Sequence, residues 1–167
     1  MRPRKNQRSY QKILELESRI KNLEDLRDIQ ELKTRYCYYI DNRQWALLAG
    51  IFSEKGTIDC GEFGKANGRE EIQKFFSVKI SDLFSFFIHM VHNPLIELHG
   101  DTASGTWYWT EPSVYRADGL ARFIQGRYDE SYVKEGGNWK FKSVVLSLRI
   151  NTPFDFSWDR KISNKDS

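Results

Sequence analysis

The sequence predicts an α+β domain in which helices come first and a meandering antiparallel sheet follows. A change of pattern near residue 82 predicts it. Up to about residue 82 apolar residues recur at helical spacing, and beyond it apolar and aromatic runs alternate with turn residues. The length supports the same reading: 167 residues suit one domain, which buries about 70% of its unfolded surface and needs no staples.

The first element is a helix over residues 10–40. Ile13, Leu16, Ile20, Leu23, Leu26, Ile29, Leu32, Tyr36 and Tyr39 read as one apolar stripe among charges. Asn22, in "NLED", reads as a cap dividing a leading arm from a helix that ends near Asn42. Short helices follow at "RQWALLAGIF" and at "GREEIQKFF", the latter with Gly68 before it and acidic residues in its first turn. "LFSFFIHMV" is a buried apolar strand, and "PLIEL" leads to a turn at "HGD". "TASGTWYWTEPSVY" and "ARFIQGRYDESYV" are long, aromatic-rich strands. The turn "KEGGN" then leads into "WKFKSVVLSLRI" and completes a hairpin. In that last strand Val144, Leu146, Leu148 and Ile150 share one face, and Ser143, Val145, Ser147 and Arg149 the other. Small residues beside one arginine suit a cavity wall, which would turn the apolar face outward; the alternative is a solvent face with a surface arginine.

Charge and composition exclude several classes. A net charge of +3, from 26 basic and 23 acidic residues, does not suggest nucleic acid as a partner. The basic run with Arg2, Arg4, Lys5 and Arg8 reads as a solvated tail. No apolar segment approaches the ~20 residues of a membrane span. The start lacks the apolar core of a secretory signal, and Cys37 and Cys60 fit no metal spacing, so a cytoplasmic protein with reduced thiols is expected. Aromatic residues make up 14% of the chain, which suits a pocket for a flat, apolar ligand.

Asp41 poses the chemical question, because it follows the aromatic run "RYCYY" and a buried charge needs a partner. Of three histidines, His99 sits beside a turn, His89 shares a strand face with Phe87 and Val91, and His92 falls in step with Ile88 and Met90. No metal-ligand spacing, phosphate loop, dinucleotide fingerprint or nucleophile elbow is present, so no cofactor is expected. What remains is proton transfer: a histidine base, a carboxylate on its far nitrogen, and a cation such as Arg149 for developing negative charge.

The helix "LEDLRDIQELKTRYCYYIDNRQW", the segment "HMVHNPLIELHGDTASGTWYW" and the hairpin "GRYDESYVKEGGNWKFKSVVLSLRI" resemble the SnoaL-like branch of the nuclear transport factor 2-like superfamily. The likeness spans most of residues 22–152. It implies a cone-shaped, curved antiparallel sheet wrapped by N-terminal helices, with a pocket inside. Within the branch the pattern is most similar to that of bile acid 7α-dehydratases: Tyr36 and Asp41 match "YxxxxD", His89 and His92 match "HMxHxP", and Arg149 matches a late-strand arginine. Glu111 stands where the "WYxxD" pattern has aspartate, a departure that lengthens the side chain by one methylene.

The resemblance implies a cofactor-free lyase or isomerase in which His89, paired with Asp41, takes a proton next to a carbonyl of an apolar ring compound. Tyr36 and Arg149 complete the catalytic set, and Glu111, His92, Trp107, Trp109 and Ser147 line the substrate pocket. Steroid, terpenoid and polyketide carbonyl compounds form the expected substrate class. A homo-oligomer, a trimer by analogy, is expected. The competing readings are a non-catalytic small β subunit of a ring-hydroxylating dioxygenase and a ligand-binding module. The chain divides into a basic tail and arm (1–21), the domain (22–155) and a C-terminal tail (156–167).

Overall fold

The computed structural model describes residues 4–154, with side chains from residue 7 onward. The tail at 156–167 and Arg2 lie outside the described residues. Helix α1 runs unbroken from Arg4 to Asp41, so Asn22 starts no new helix. The segment around it holds no glycine or proline, and nothing interrupts the ladder. Nor is the stripe a single one. The steps 23–26–29–32 are each three residues, about 60° short of a full turn, and together they swing the apolar face through about 180°. From Asp25 onward the helix packs on the sheet, burying Ile29, Leu32, Tyr36 and Ile40.

Helix α2 (Trp45–Gly50) and helix α3 (Arg69–Lys74) stand where the sequence places short helices. α3 continues through a π-helical stretch, Phe75–Ile80, into a last turn, α4 (Ser81–Leu83). Between α2 and α3 lie two strands that the sequence reading missed, β1 (Phe52–Asp59) and β2 (Lys65–Asn67). β3 (Phe84–Phe87), β4 (Met90–His99), β5 (Thr102–Tyr115), β6 (Ala121–Glu135) and β7 (Asn138–Pro153) complete one sheet. Its order is β2-β1-β7-β6-β5-β3, with β4 also on β5. Every pairing is antiparallel except β1 with β7. The sheet curls around its buried face into the cone that the resemblance implies, with α1 packed across it.

Curvature has local causes. β6 and β7 shift register at Gln125/Gly126 and at Ser131/Tyr132, and such bulges bend a strand and increase its twist. Gly126 is needed at the first of these, because a Cβ there would lie 2.4 Å from the Ser147 carbonyl oxygen and 3.2 Å from Trp109.

The β7 faces are the reverse of the cavity-wall expectation. Val144 and Leu146 are buried inside, while Val145, Ser147 and Arg149 face outward and are exposed. The ordinary half-buried strand rule wins as far as Leu148: the apolar face goes to the core, and Ile150, beyond the register shift, is exposed. An outward apolar β7 face therefore gives no reason for oligomerisation.

Candidate active site

The end of α1 brings the chemistry together. Asp41 is the last residue of α1, where the exposed carbonyls already carry partial negative charge and disfavour a carboxylate. The strand predicted over 83–91 breaks after Phe87, and the break turns the His89 backbone toward Asp41. The His89 amide donates to Asp41 Oδ1 and Oδ2 at 3.1 and 3.2 Å, and its ring Nδ1 lies 2.8 Å from Oδ1. One carboxylate thus fixes both backbone and ring, and Nδ1 carries the proton it donates.

The far nitrogen, Nε2, lies 3.2 Å from Glu111 Oε2, and both side chains are only 5% exposed. Glu111 comes from the inward face of β5, two residues beyond Trp109. Burial pushes its carboxyl up to about 7, with His89 pulling it down and Asp41 adding to the rise. His89 therefore bridges two carboxylates in a row.

These groups open on a cavity of about 30 Å³, walled by Tyr36, Phe76, Phe87, Trp109, Tyr128 and Leu146 around His89 and Glu111. That is space for about one or two waters. The Tyr36 hydroxyl is held well above its usual range by burial, with the Cys60 and Glu130 charges adding to the rise and a hydrogen bond to Tyr128 partly offsetting it. It is a neutral hydrogen-bonding group rather than a base. Trp109 Nε1–H is buried and, among the described residues, has no hydrogen-bond partner. Cys60 also touches the cavity, but burial pushes its thiol up to about 12, which rules out a ready nucleophile. A wider cleft of about 620 Å³, lined by Lys79, Tyr115 and Asn151 among others, shares Phe63 with the cavity wall.

The structure therefore gathers Asp41, His89, Glu111, Tyr36 and Trp109, and it separates four other candidates. Arg149 is exposed on the outer face, its guanidinium 5.4 Å from the Tyr108 ring. It sits at the β6–β7 register shift, beyond the run of inward residues. Ser147 is exposed on the same face. His92 is exposed too, its Nε2 3.4 Å from Thr110 Oγ1, because pairing with Tyr108 fixes it on the outer face. Trp107 points inward but stops short of the cavity, donating from Nε1 to the Tyr132 hydroxyl at 3.0 Å.

The sequence reading missed Tyr128 and a buried ion pair, Lys33 with Glu130, whose side chains are 0% exposed. The Lys33 ammonium lies 3.4 Å from the Tyr128 ring centre and 4.4 Å from that of Tyr36. A signal existed: Lys33 falls four residues after Ile29 and three before Tyr36, inside the buried stripe. Among the described residues no cluster of metal-ligating side chains occurs.

Comparison with known proteins bears on the family and the fold. A family model, the SnoaL-like domain, matches residues 21–145. The uncharacterized protein Rv2910c of Mycobacterium tuberculosis is 27% identical over 122 residues, covering 72% of this chain and 83% of that protein. A type 2 hexachlorocyclohexane dehydrochlorinase (LinA) superposes with a TM-score of 0.80 at 20% identity, over 83% of this chain and 95% of its own. A candidate scytalone dehydratase from Novosphingobium aromaticivorans superposes with a TM-score of 0.72 at 24% identity, over 81% and 91%. At such identities these likenesses establish the shared fold.

Proposed function

The chain belongs to the SnoaL-like domain family, and on that premise we propose that it is a cofactor-free lyase or isomerase acting on an apolar, ring-containing carbonyl compound. The observation that carries this is the row Asp41–His89–Glu111, with His89 and Glu111 buried beside an aromatic cavity and Asp41 partly buried behind them. The dehydrochlorinase and candidate dehydratase of like fold support an elimination chemistry.

With Nδ1–H donated to Asp41, the lone pair of Nε2 faces Glu111. One proton on this pair makes a hydrogen bond; its removal leaves a lone pair against a carboxylate oxygen, so the empty pair is a strong proton acceptor. It takes the proton from the carbon next to the carbonyl, and the C–H electrons form the new double bond. In an elimination the leaving group departs with its bonding electrons. A hydroxyl leaves as water after receiving the proton back from the His89–Glu111 pair. In an isomerisation the same proton returns to another carbon. A well-placed base of this kind contributes typically ~10²–10⁴ in rate.

Negative charge develops on the substrate oxygen, and Arg149 is on the wrong face to meet it. The Trp109 indole N–H and the Tyr36 hydroxyl are the donors that serve instead, inside a site where water does not compete. A ring substrate is larger than the cavity as it stands, so binding requires aromatic walls such as Phe63 to move toward the adjoining cleft.

The test is turnover of a panel of hydroxylated steroid, terpenoid and polyketide carbonyl compounds, with and without chelator. Conversion that survives chelator and is lost in His89→Ala is expected. Activity removed by chelator, or untouched in His89→Ala, would overturn the mechanism, and a wild-type protein inert on the whole panel would overturn the substrate class.

A further inference from the structure

Helix α1 carries a second apolar stripe that its own domain does not use. Ile13, Leu16, Ile20 and Leu23 are 52, 42, 55 and 67% exposed. At about 100° per residue they stand on the side of the helix opposite Ile29, Leu32, Tyr36 and Ile40. A partner can therefore cover them without meeting the face that packs on the sheet.

The spacing and residue types specify what kind of partner. Positions 13, 16, 20 and 23 follow the 3-4-3 rhythm of a heptad seam, with isoleucine at both a positions and leucine at both d positions. A β-branched residue at a with leucine at d favours two parallel strands. The flanks agree. Lys12 and Arg19 fall at g, Glu17 and Glu24 at e, and all four are exposed. In a parallel pair each g residue faces the next e residue of the partner, which sets Lys12 against Glu17 and Arg19 against Glu24. In an antiparallel pair e would meet e and g would meet g, with like charges opposed. The next a position is Arg27, its side chain 74% exposed, and there the seam stops.

The helix needs no partner to exist. It is continuous with the stretch fixed in the core, so pairing is spared the cost of nucleation. The family match starts at residue 21, which leaves most of the seam as an addition to the shared domain.

We propose that the arm of α1 pairs with the arm of a second copy of this chain as a parallel, two-stranded coiled coil over residues 12–24. Sedimentation equilibrium of the full chain tests it. A species of twice 19.8 kDa is expected. Glu17→Lys with Glu24→Lys should weaken the association at least about tenfold, because four attractive contacts become repulsive. Lys12→Glu with Arg19→Glu should do the same, and all four changes together should restore it. Ile20→Lys should leave a monomer with the helix content of the parent, read by circular dichroism. Leu16→Cys should form a covalent dimer on oxidation, since d faces d only in the parallel arrangement. A monomeric wild type, an oligomer indifferent to these changes, or a quadruple variant that stays dissociated would overturn the proposal. A trimer abolished by the arm variants would overturn the two-stranded assignment.

Discussion

Two buried ionic networks lie about two turns apart along α1, against the same sheet, and they are completed differently. Around Lys33 every polar group is used. The ammonium pairs with Glu130 and lies over the Tyr128 and Tyr36 rings. Glu130 also accepts from the Tyr132 hydroxyl, which in turn accepts from Trp107. Around His89 the row is unfinished. The Glu111 carboxyl is raised to about 7, the Trp109 N–H has no partner among the described residues, and a small cavity adjoins both. The difference teaches how burial is put to use. A saturated network fixes shape, whereas one with spare capacity can exchange a proton and meet a ligand.

The largest expected effect comes from breaking the saturated network. Lys33→Ala leaves Glu130 buried without its cation and should cost roughly 3–5 kcal/mol of stability, measured by urea denaturation. Lys33→Met combined with Glu130→Gln should cost less than Lys33→Ala alone, because no charge is stranded. Equal losses would show that shape rather than charge governs that end.

The unfinished network should behave in the opposite way, tolerant in stability and sensitive in rate. His89→Ala should lower kcat by at least ~10² on a panel substrate while shifting the urea midpoint less than Lys33→Ala does, because Glu111 already holds its proton readily. Asp41→Asn should also be severe, since the ring loses both its tautomer and the charge that stabilises imidazolium. A large drop in stability with unchanged kcat would place His89 with the structural network instead.

Glu111 sharpens the contrast through pH. Its carboxyl is raised by burial from 4.5 to about 7. A raised carboxylic acid favours the folded state fully below its unfolded value, and that contribution is lost as pH climbs to the folded value. Wild-type stability should therefore decline between pH 4.5 and about 7 relative to Glu111→Gln, which has no proton to lose. The rate should rise through the same upper limit as the pair empties and becomes a base. Parallel stability curves for parent and variant would remove Glu111 from the titrating unit.

How much of this was legible in the sequence follows from what each residue's position depends on. The helix-then-sheet order, α2, α3 and the last hairpin rest on local periodicity and turn chemistry, which a sequence displays. Asp41 stood out as a charge after an aromatic run, the resemblance supplied the motif spacing for Tyr36, His89 and Glu111 and the pocket-lining expectation for Trp109, and the structure brings the five together. β1 was missed because Ser53, Glu54, Lys55 and Gly56 interrupt its apolar alternation and its partner β7 lies far along the chain, and β2 because it is three residues long and pairs only with β1. The β7 faces depend on the core side of an alternation that is itself plain, and a bulge resets parity at residue 149. Lys33 was hidden by its type: a lysine is read as surface unless its place in the stripe outweighs its charge.

The smallest effects belong to the outer face. Arg149, Ser147 and His92 are exposed there, on the opposite side of the sheet from His89. Arg149 touches the Tyr108 ring, a contact worth about 0.5–1 kcal/mol at an exposed site. Arg149→Ala should thus shift stability by no more than about that amount and change kcat/KM by less than about twofold, an effect of under ~0.5 kcal/mol. Trp109→Phe, by contrast, removes the unpartnered N–H and should lower kcat more than it raises KM if that donor meets charge formed in the transition state. Steady-state kinetics of the two variants on one substrate decides between the faces. A larger loss in Arg149→Ala than in Trp109→Phe would mean that the oxyanion is met from outside the cone, and that the inner donors are only structural.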